Sequence, residues 1–399
     1  MAKLRLFVFL LTVVFVAVVG YIVSLFARGY RADLKRLDIL PTGLLVATSV
    51  PDGAQILING ELESATNATI SLAPNSYDVE IRKEGFLPWK NRLAIKKEEV
   101  TKIDTILFPV APSLSSITFT GATRPILSPD GTKIAYGVSS NNGNLSKSAL
   151  EQKTGLWVME LADLPIGFSR EARLITDADI EEATWSWSPD SRQILLTSAR
   201  GKYLVNAGET TPQVKLVNIS GKQLEEVLAK WEEQEGQKRD SKLSRVPEEL
   251  REFLLNKTTL LTFSPDGKKL FYTASFIKRL PDELVSPIPG SSTQQQQRDI
   301  RTGQTYVYDI KEDRNFLIAS LPLGESSRIS WFPTSNHLVL AEEAKITIMD
   351  YDGTNRQVVW SGPYEAPYAI PYPNTTRLLM LTSLGSGNGG ANLYALSLR

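Results

Sequence analysis

The 399-residue sequence has no cysteine and a single histidine, His337. The first absence removes disulfides, thiol nucleophiles and thiolate-bound zinc. The second sets aside a Ser-His-Asp hydrolase and any metal site needing several imidazoles. Net charge is missing too. The 44 basic residues offset 44 acidic ones, which leaves no electrostatic footprint for nucleic acid. No paired-carboxylate spacing stands out. We therefore expect no catalytic, cofactor-binding or metal-binding residues.

What is present begins with an apolar run. Leu6 to Ala27 carries no charge over 22 residues. At about 1.5 Å per residue it reaches roughly 33 Å, against a bilayer hydrocarbon core of about 30 Å. Leu25-Phe26-Ala27 is a poor cleavage site, so an uncleaved anchor is expected over residues 1–38, with Gly29 to Asp38 as a juxtamembrane stalk. Lys3 and Arg5 precede the span, and Arg28, Arg31, Lys35 and Arg36 follow it. By the positive-inside rule alone, the body leans toward the cytoplasm.

Residues 39–110 read as a small β unit. Pro51-Asp52-Gly53-Ala54 is a turn, and Asn59-Gly60 after a β-prone run is a hairpin signal because both residues tolerate positive φ. Tyr77, Val79 and Ile81 alternate with Asp78, Glu80 and Arg82, the pattern of a strand with one wet face. Gly85-Phe86-Leu87-Pro88-Trp89 follows. This stretch resembles a PEGA domain, a small β-sandwich, with Asp52 in place of the usual Glu. Asn75 stands where a turn Gly is usual. The resemblance implies an extracytoplasmic, envelope-associated module without catalytic residues. Phe86 and Trp89 either pack the sandwich or form a contact surface.

From residue 111 onward the chain repeats itself. Leu127-Ser128-Pro129-Asp130-Gly131, Trp187-Ser188-Pro189-Asp190-Ser191 and Phe263-Ser264-Pro265-Asp266-Gly267 each join two β-prone runs. Phe332-Pro333-Thr334-Ser335 and Tyr372-Pro373-Asn374-Thr375 are worn copies. An alternating strand follows each, as at Gly155–Met159, Tyr203–Val205, Thr305–Asp309, Ile346–Asp350 and Asn392–Leu396. Such self-similarity marks a repeat architecture of propeller type. The pattern resembles the TolB-like β-propellers, whose repeat carries Ser-Pro-Asp-Gly between its first two strands. The repeat prolines lie 60, 76, 68 and 40 residues apart, so the earlier blades carry inserted loops. We count five blades, or six if one hides between Asn206 and Thr262. Ser116–Thr120 is expected to close the ring beside Asn392–Leu398. The fold expected is all-β: an N-terminal transmembrane helix, a PEGA-like sandwich, and a propeller over 111–399.

A helical insertion is expected over about 222–257. Leu224, Val227, Leu228 and Trp231 recur at helical spacing, as do Val246, Leu250, Phe253 and Leu254, with a polar connector from Gln234 to Ser244. It is either a hairpin packed on the propeller or a lid or docking arm. Ser286 to Gly303 and Ser139 to Lys153 have no apolar period and read as mobile loops.

Trp185, Trp187, Trp331 and Tyr372 stand at the repeat turns and Trp231 on the insertion. They are the candidate ligand or partner contacts; packing between blades is the alternative. Asp130, Asp190 and Asp266 read as turn acceptors rather than catalytic acids. Asp350-x-Asp352-Gly353 fails the spacing of a calcium loop and reads as a turn. Ser383 to Gly390 is glycine-rich but opens no helix, so it is not a phosphate cradle. His337 is expected to be exposed. The leading functional expectation is a non-catalytic, membrane-anchored scaffold whose body faces outward and binds a protein or envelope polymer. A propeller enzyme acting on glycans or peptides, and a cytoplasmic assembly platform, are the alternatives.

Overall fold

A computed structural model describes residues 2–27, 30–33, 38–139, 154–161, 171–320, 328–384 and 390–399. The loop expected at Ser139–Lys153 lies almost wholly outside these residues, as do parts of the stalk and of the glycine-rich stretch. The chain divides into two units. One comprises Met1–Leu107 with Ser286–Gln295, the other Phe108–Val285 with Gln296–Arg399.

In the first unit, helix α1 (Ala2–Ala27) is long and apolar enough to cross a membrane; its stretch Phe7–Leu25 has mean hydropathy 2.8. Arg31–Asp33 then pairs antiparallel with Asp38–Leu40, a short ribbon in place of a helical or featureless stalk. The β-sandwich follows. Gly43–Val50 lies between Ala68–Leu72 and a parallel Val100–Ile106. The facing sheet runs Glu61–Ala65, Gln55–Ile58, Asn75–Arg82, Trp89–Ile95. Leu45, Ile56, Val79, Ile81, Trp89 and Ile103 fill the space between, with Phe86 packed against them. Trp89 is therefore core. Asn59 and Gly60 take positive φ, as the hairpin requires. Asn75 does not; it opens a strand instead of occupying a left-handed turn.

The excursion Ser286–Gln295 joins this unit along the edge strand Trp89–Ile95. Ala94 N–H donates to Thr293 Oγ1 at 3.2 Å, Gln294 Nε2 to the Arg92 carbonyl at 2.9 Å, and Gly290 N–H to Glu99 Oε2 at 3.2 Å. This part of the segment expected to be a mobile loop is thus hydrogen-bonded to the sandwich. Its polar residues have no period of their own because their partners lie far away in sequence.

The second unit holds, among the described residues, five antiparallel sheets of three or four strands in chain order. The first is Thr123–Leu127, Lys133–Val138, Gly155–Glu160, Arg173–Thr176. The second has Thr184–Trp187, Gln193–Ser198 and Gly201–Asn206, extended by a bridge from Tyr203 to Asn218. The third is Thr258–Phe263, Lys269–Ala274, Gln304–Asp309, Arg314–Ser320, and the fourth Ile329–Trp331, His337–Glu342, Lys345–Asp350, Gln357–Ser361. The fifth joins Ala369–Pro371, Arg377–Thr382 and Asn392–Ser397 to Leu114–Ser116 from the other end of the unit. Leu114 pairs with Leu396, and Ile117 N–H reaches the Leu393 carbonyl at 2.8 Å. The closing strand thus starts two residues earlier than expected and ends at Ser116 instead of Thr120.

Neighbouring sheets share apolar layers. Ala135, Leu156 and Val158 of the first pack on Trp185, Trp187 and Leu196 of the second. Phe271, Val307 and Phe316 of the third pack on Trp331, Leu338 and Leu340 of the fourth. Ile134, Tyr136 and Val138 of the first also meet Leu379, Leu381 and Leu393 of the fifth. The other face of the third sheet is covered differently. Leu270, Tyr272, Tyr306 and Tyr308 pack on Leu250, Phe253 and Leu254 of helix α3 (Glu248–Asn256).

Helix α2 (Lys222–Leu243) precedes it and runs straight through the expected polar connector. Its Glu, Gln, Lys and Arg residues are good helix formers, but with no apolar stripe they gave no periodic signal. Leu224, Val227 and Trp231 are half-buried, Leu228 is exposed, and only Leu243 is fully buried. His337 is also corrected. It is 3% exposed, opens the second strand of the fourth sheet, and lies edge-on to Phe108 and Phe332.

The fifth sheet needs both ends of the unit. Deleting residues 392–399 removes a strand paired on both sides, and the cooperative thermal transition of this unit should be lost; differential scanning calorimetry would read it.

Candidate functional site

The repeat turn is a closed hydrogen-bonded loop. Ser128 Oγ donates to Asp130 Oδ1 at 2.6 Å, and Asp130 Oδ1 accepts from Thr132 N–H at 3.0 Å. Lys133 N–H donates to Ser128 Oγ at 2.9 Å. Ser188 and Asp190, and Ser264 and Asp266, repeat the pattern. In the worn copies Thr334 and Asn374 accept the backbone N–H in the same place. Burial raises the Asp130 carboxyl, but the Ser128 hydroxyl and the Thr132 N–H and hydroxyl outweigh it, and the group lies below its ordinary value. Asp190 is lowered chiefly by the Ser188 hydroxyl. At Asp266, burial again opposes and Ser264 and Lys268 win. These acids are ionised structural acceptors.

The residue after each of these turn acceptors, Asp130, Asp190, Asp266, Thr334 and Asn374, has positive φ: Gly131, Ser191, Gly267, Ser335 and Thr375. Where it is serine, the hydroxyl reaches the preceding sheet. Asp130 N–H donates to Ser191 Oγ at 3.1 Å, and Asp266 N–H to Ser335 Oγ at 3.0 Å. An indole strengthens the same two seams. Trp187 Nε1–H donates to the Ile126 carbonyl at 3.0 Å, and Trp331 Nε1–H to the Thr262 carbonyl at 3.1 Å. The second-to-third seam has Phe263 and Gly267 at these two positions and lacks both bonds.

There α2 takes over. Lys238 Nζ donates to the Pro189 carbonyl at 2.7 Å. A cleft of about 630 Å³ opens between α2 and the turns, lined by Gln234, Gln237, Lys238, Lys242, Arg245, Asp190 and Asp266 among others. Its size suits a small ligand or several residues of a peptide. Lys242 also lies over the Phe263 ring, with Nζ 5.6 Å from its centre. A second cleft, about 520 Å³, lies on the sandwich beside Gln55, Glu80, Arg82, Lys83 and Phe86. Among the described residues no group of three or more acids or imidazoles is placed to hold a metal ion. Asp350 and Asp352 belong to a turn in which Gly353 N–H donates to the Asp350 carbonyl and Asn355 Nδ2 to Asp350 Oδ2.

Trp185, Trp187, Trp331 and Tyr372 are all buried. They contribute to the layers between sheets, and Arg124 covers one face of Trp185 at 5.1 Å. Trp231 is half-buried on α2 and does not line the cleft. Of the residues that do line it, Asp190, Asp266 and Gly267 were read from sequence only as parts of the repeat turns, and Lys238, Lys242 and Arg245 were not singled out. One signal was available: the alternation of Gly and Ser after the repeat Asp.

Residues 42–110 match the sequence profile described as the PEGA domain. This segment is a PEGA domain. No curated protein sequence matches the chain. Solved structures resemble it only at low TM-score. TolB from Acinetobacter baumannii is 14% identical with TM-score 0.23, over 81% of this chain and 60% of that one, under two thirds of its length. The Cps50 (Swd1) β-propeller domain of Myceliophteria thermophila is 11% identical with TM-score 0.30, over 72% of this chain and 100% of that one. An oligogalacturonate lyase in complex with manganese is 12% identical with TM-score 0.23, over 84% and 81%. These TM-scores are too low for any of the three to assign a function. The PEGA domain here keeps Asp52 in its turn, where the Asp52 carbonyl accepts from Lys83 Nζ at 2.5 Å.

Two outcomes test the turn chemistry. Ser191→Ala loses the bond to Asp130 and keeps the left-handed backbone, whereas Ser191→Gly loses the bond and relieves the strain. The alanine variant should be the less stable of the two by about 1 kcal/mol in urea unfolding. Asp309, 5% exposed, accepts from Lys311 and Glu312 N–H, yet burial raises its carboxyl above the ordinary 3.8. Ionising it therefore costs stability as pH rises from the unfolded value through the folded one. Asp309→Asn keeps the acceptor, so it should raise the melting temperature at pH 7, with a gain that fades below about pH 4.

Proposed function

We propose that this chain is a non-catalytic, membrane-anchored binding protein. In this reading α1 holds the body at the membrane, residues 39–110 form an envelope-associated spacer, and residues 111–399 form a five-bladed propeller with α2 and α3 inserted between its second and third blades. The propeller presents a face to a protein or glycan partner, and the body lies outside the cytoplasm.

The observation that carries this reading is the cleft under α2. It is open and polar, and its acids are held ionised by their own turns. A general acid would need a raised pKa and a reacting group within hydrogen-bond reach. Asp190 and Asp266 have the opposite shift. The cationic side chains of α2 face the cleft on a helix whose remaining length is mostly solvated, an arrangement suited to contact. The PEGA domain, whose resemblance implies an envelope setting, supports the outward orientation against the basic residues after Ala27.

Two experiments in intact cells test the proposal together. Protease should remove a tag placed after Arg399 without lysis; a protected tag would put the body in the cytoplasm. A photo-crosslinking residue at Gln237 should yield an adduct of higher mass that is not seen from exposed Leu62. The same pattern from both positions would overturn the cleft as a binding face.

A further inference from the structure

The repeat shows what the second-to-third seam is missing. At the first-to-second and third-to-fourth seams an amide N–H of the turn donates to a serine hydroxyl of the next sheet. The equivalent donor at the second-to-third seam is Asp190 N–H, and the equivalent acceptor position is Gly267. Both line the cleft. Among the described residues, Asp190 N–H is left with its own carboxylate. Gly131 stands at the same position of the last-to-first seam, so the lost hydroxyl alone is not distinctive. The charge around it is. Lys238, Lys242 and Arg245 project from α2 and its C-terminal end into the cleft. None of the three belongs to an ion pair among the described residues. The nearby acids are occupied: Asp190 accepts from Ser188 and Arg192, and Asp266 from Ser264 and Lys268, whose Nζ lies at 3.7 Å.

We propose that the seam is completed by an acidic, extended segment of a partner protein. One of its carboxylates takes the place of the absent hydroxyl, accepting from Asp190 N–H while Arg245 and Lys242 balance its charge. A carboxylate that accepts charge-assisted bonds binds more firmly than a neutral acceptor. The proposal rests on the binding-protein reading and names the chemistry of its partner.

Gly267→Ser is the informative variant. A Cβ at 267 would meet only Arg245 Nη1, at 3.7 Å. The backbone there, φ 69°, matches the 60° and 62° that Ser191 and Ser335 already hold. The new hydroxyl should act as an internal rival for Asp190 N–H. The probe is a blocked, fluorescein-labelled hexapeptide of alternating Gly and Glu, with a Gly-Gln counterpart, titrated by anisotropy into the full chain in lipid nanodiscs.

The Glu peptide should bind, weakening as salt rises, and the Gln peptide should bind at least tenfold more weakly. Arg245→Gln should cost the Glu peptide tenfold or more. Gly267→Ser should weaken it as well while leaving the melting temperature close to that of the parent chain. Amide exchange should show Asp190 N–H less protected than Asp130 and Asp266 N–H in the free protein, and protected in Gly267→Ser.

Equal binding of the two peptides, or no binding of either, overturns the proposal. So does full affinity in both variants. If Gly267→Ser melts lower, Arg245→Gln decides, because that side chain is exposed. A crosslink at Gln237 in cells together with no response to the Glu peptide would sink this proposal and leave the binding-protein reading standing.

Discussion

The third sheet of the second unit carries large apolar residues on both faces, and each face is covered by a different element. One face lies on the fourth sheet through Phe271, Val307 and Phe316. The other carries four large residues, Leu270, Tyr272, Tyr306 and Tyr308, and α3 covers them. A strand alternates its side chains, so a sheet with aromatics on both sides has no wet face. Helix α3 is thus part of the core of the third sheet. Where α2 and α3 are inserted, the short turn-to-turn hydrogen bonds give way to Lys238 and the Pro189 carbonyl.

Seen this way, the turns do two tasks with one sequence. Within a turn, Asp fixes the loop by accepting backbone N–H. Between turns, the next residue either clasps the neighbouring sheet or leaves it free. Serine at 191 and 335 holds a backbone conformation that glycine takes at 131 and 267. The left-handed strain of a serine is of order 1 kcal/mol, similar to one net hydrogen bond. The two choices are therefore nearly balanced in stability and differ mainly in whether a donor remains for something else.

Much of this was legible in the sequence. Three good Ser-Pro-Asp copies located the strand pairs, and Asn59-Gly60 located a hairpin, because turn chemistry is local. The early end of the closing strand was placed to within two residues. What stayed hidden was non-local. The polar half of α2 carried no period, so its helix could not be seen to run on to Leu243. The tryptophans looked like contact residues because sequence shows an aromatic beside a turn but not the sheet packed on it. His337 followed a worn turn and was read as exposed, yet Phe108, some 230 residues earlier, helps to bury it. The cleft itself is an arrangement of three separate segments, and only the presence of Gly in place of Ser at 267 left a trace of it.

The excursion along the sandwich edge has a consequence in time. Ala94 and Thr293, which bond across that edge, are 199 residues apart. A chain emerging from the ribosome would make the whole PEGA segment long before the piece that covers its outer strand. During that interval the edge would display open backbone groups, the condition under which strands pair with the wrong neighbour. The order of synthesis leaves this module unfinished until most of the second unit has been made, so the smallest piece of the chain that folds without an exposed edge is longer than the family profile that recognises it.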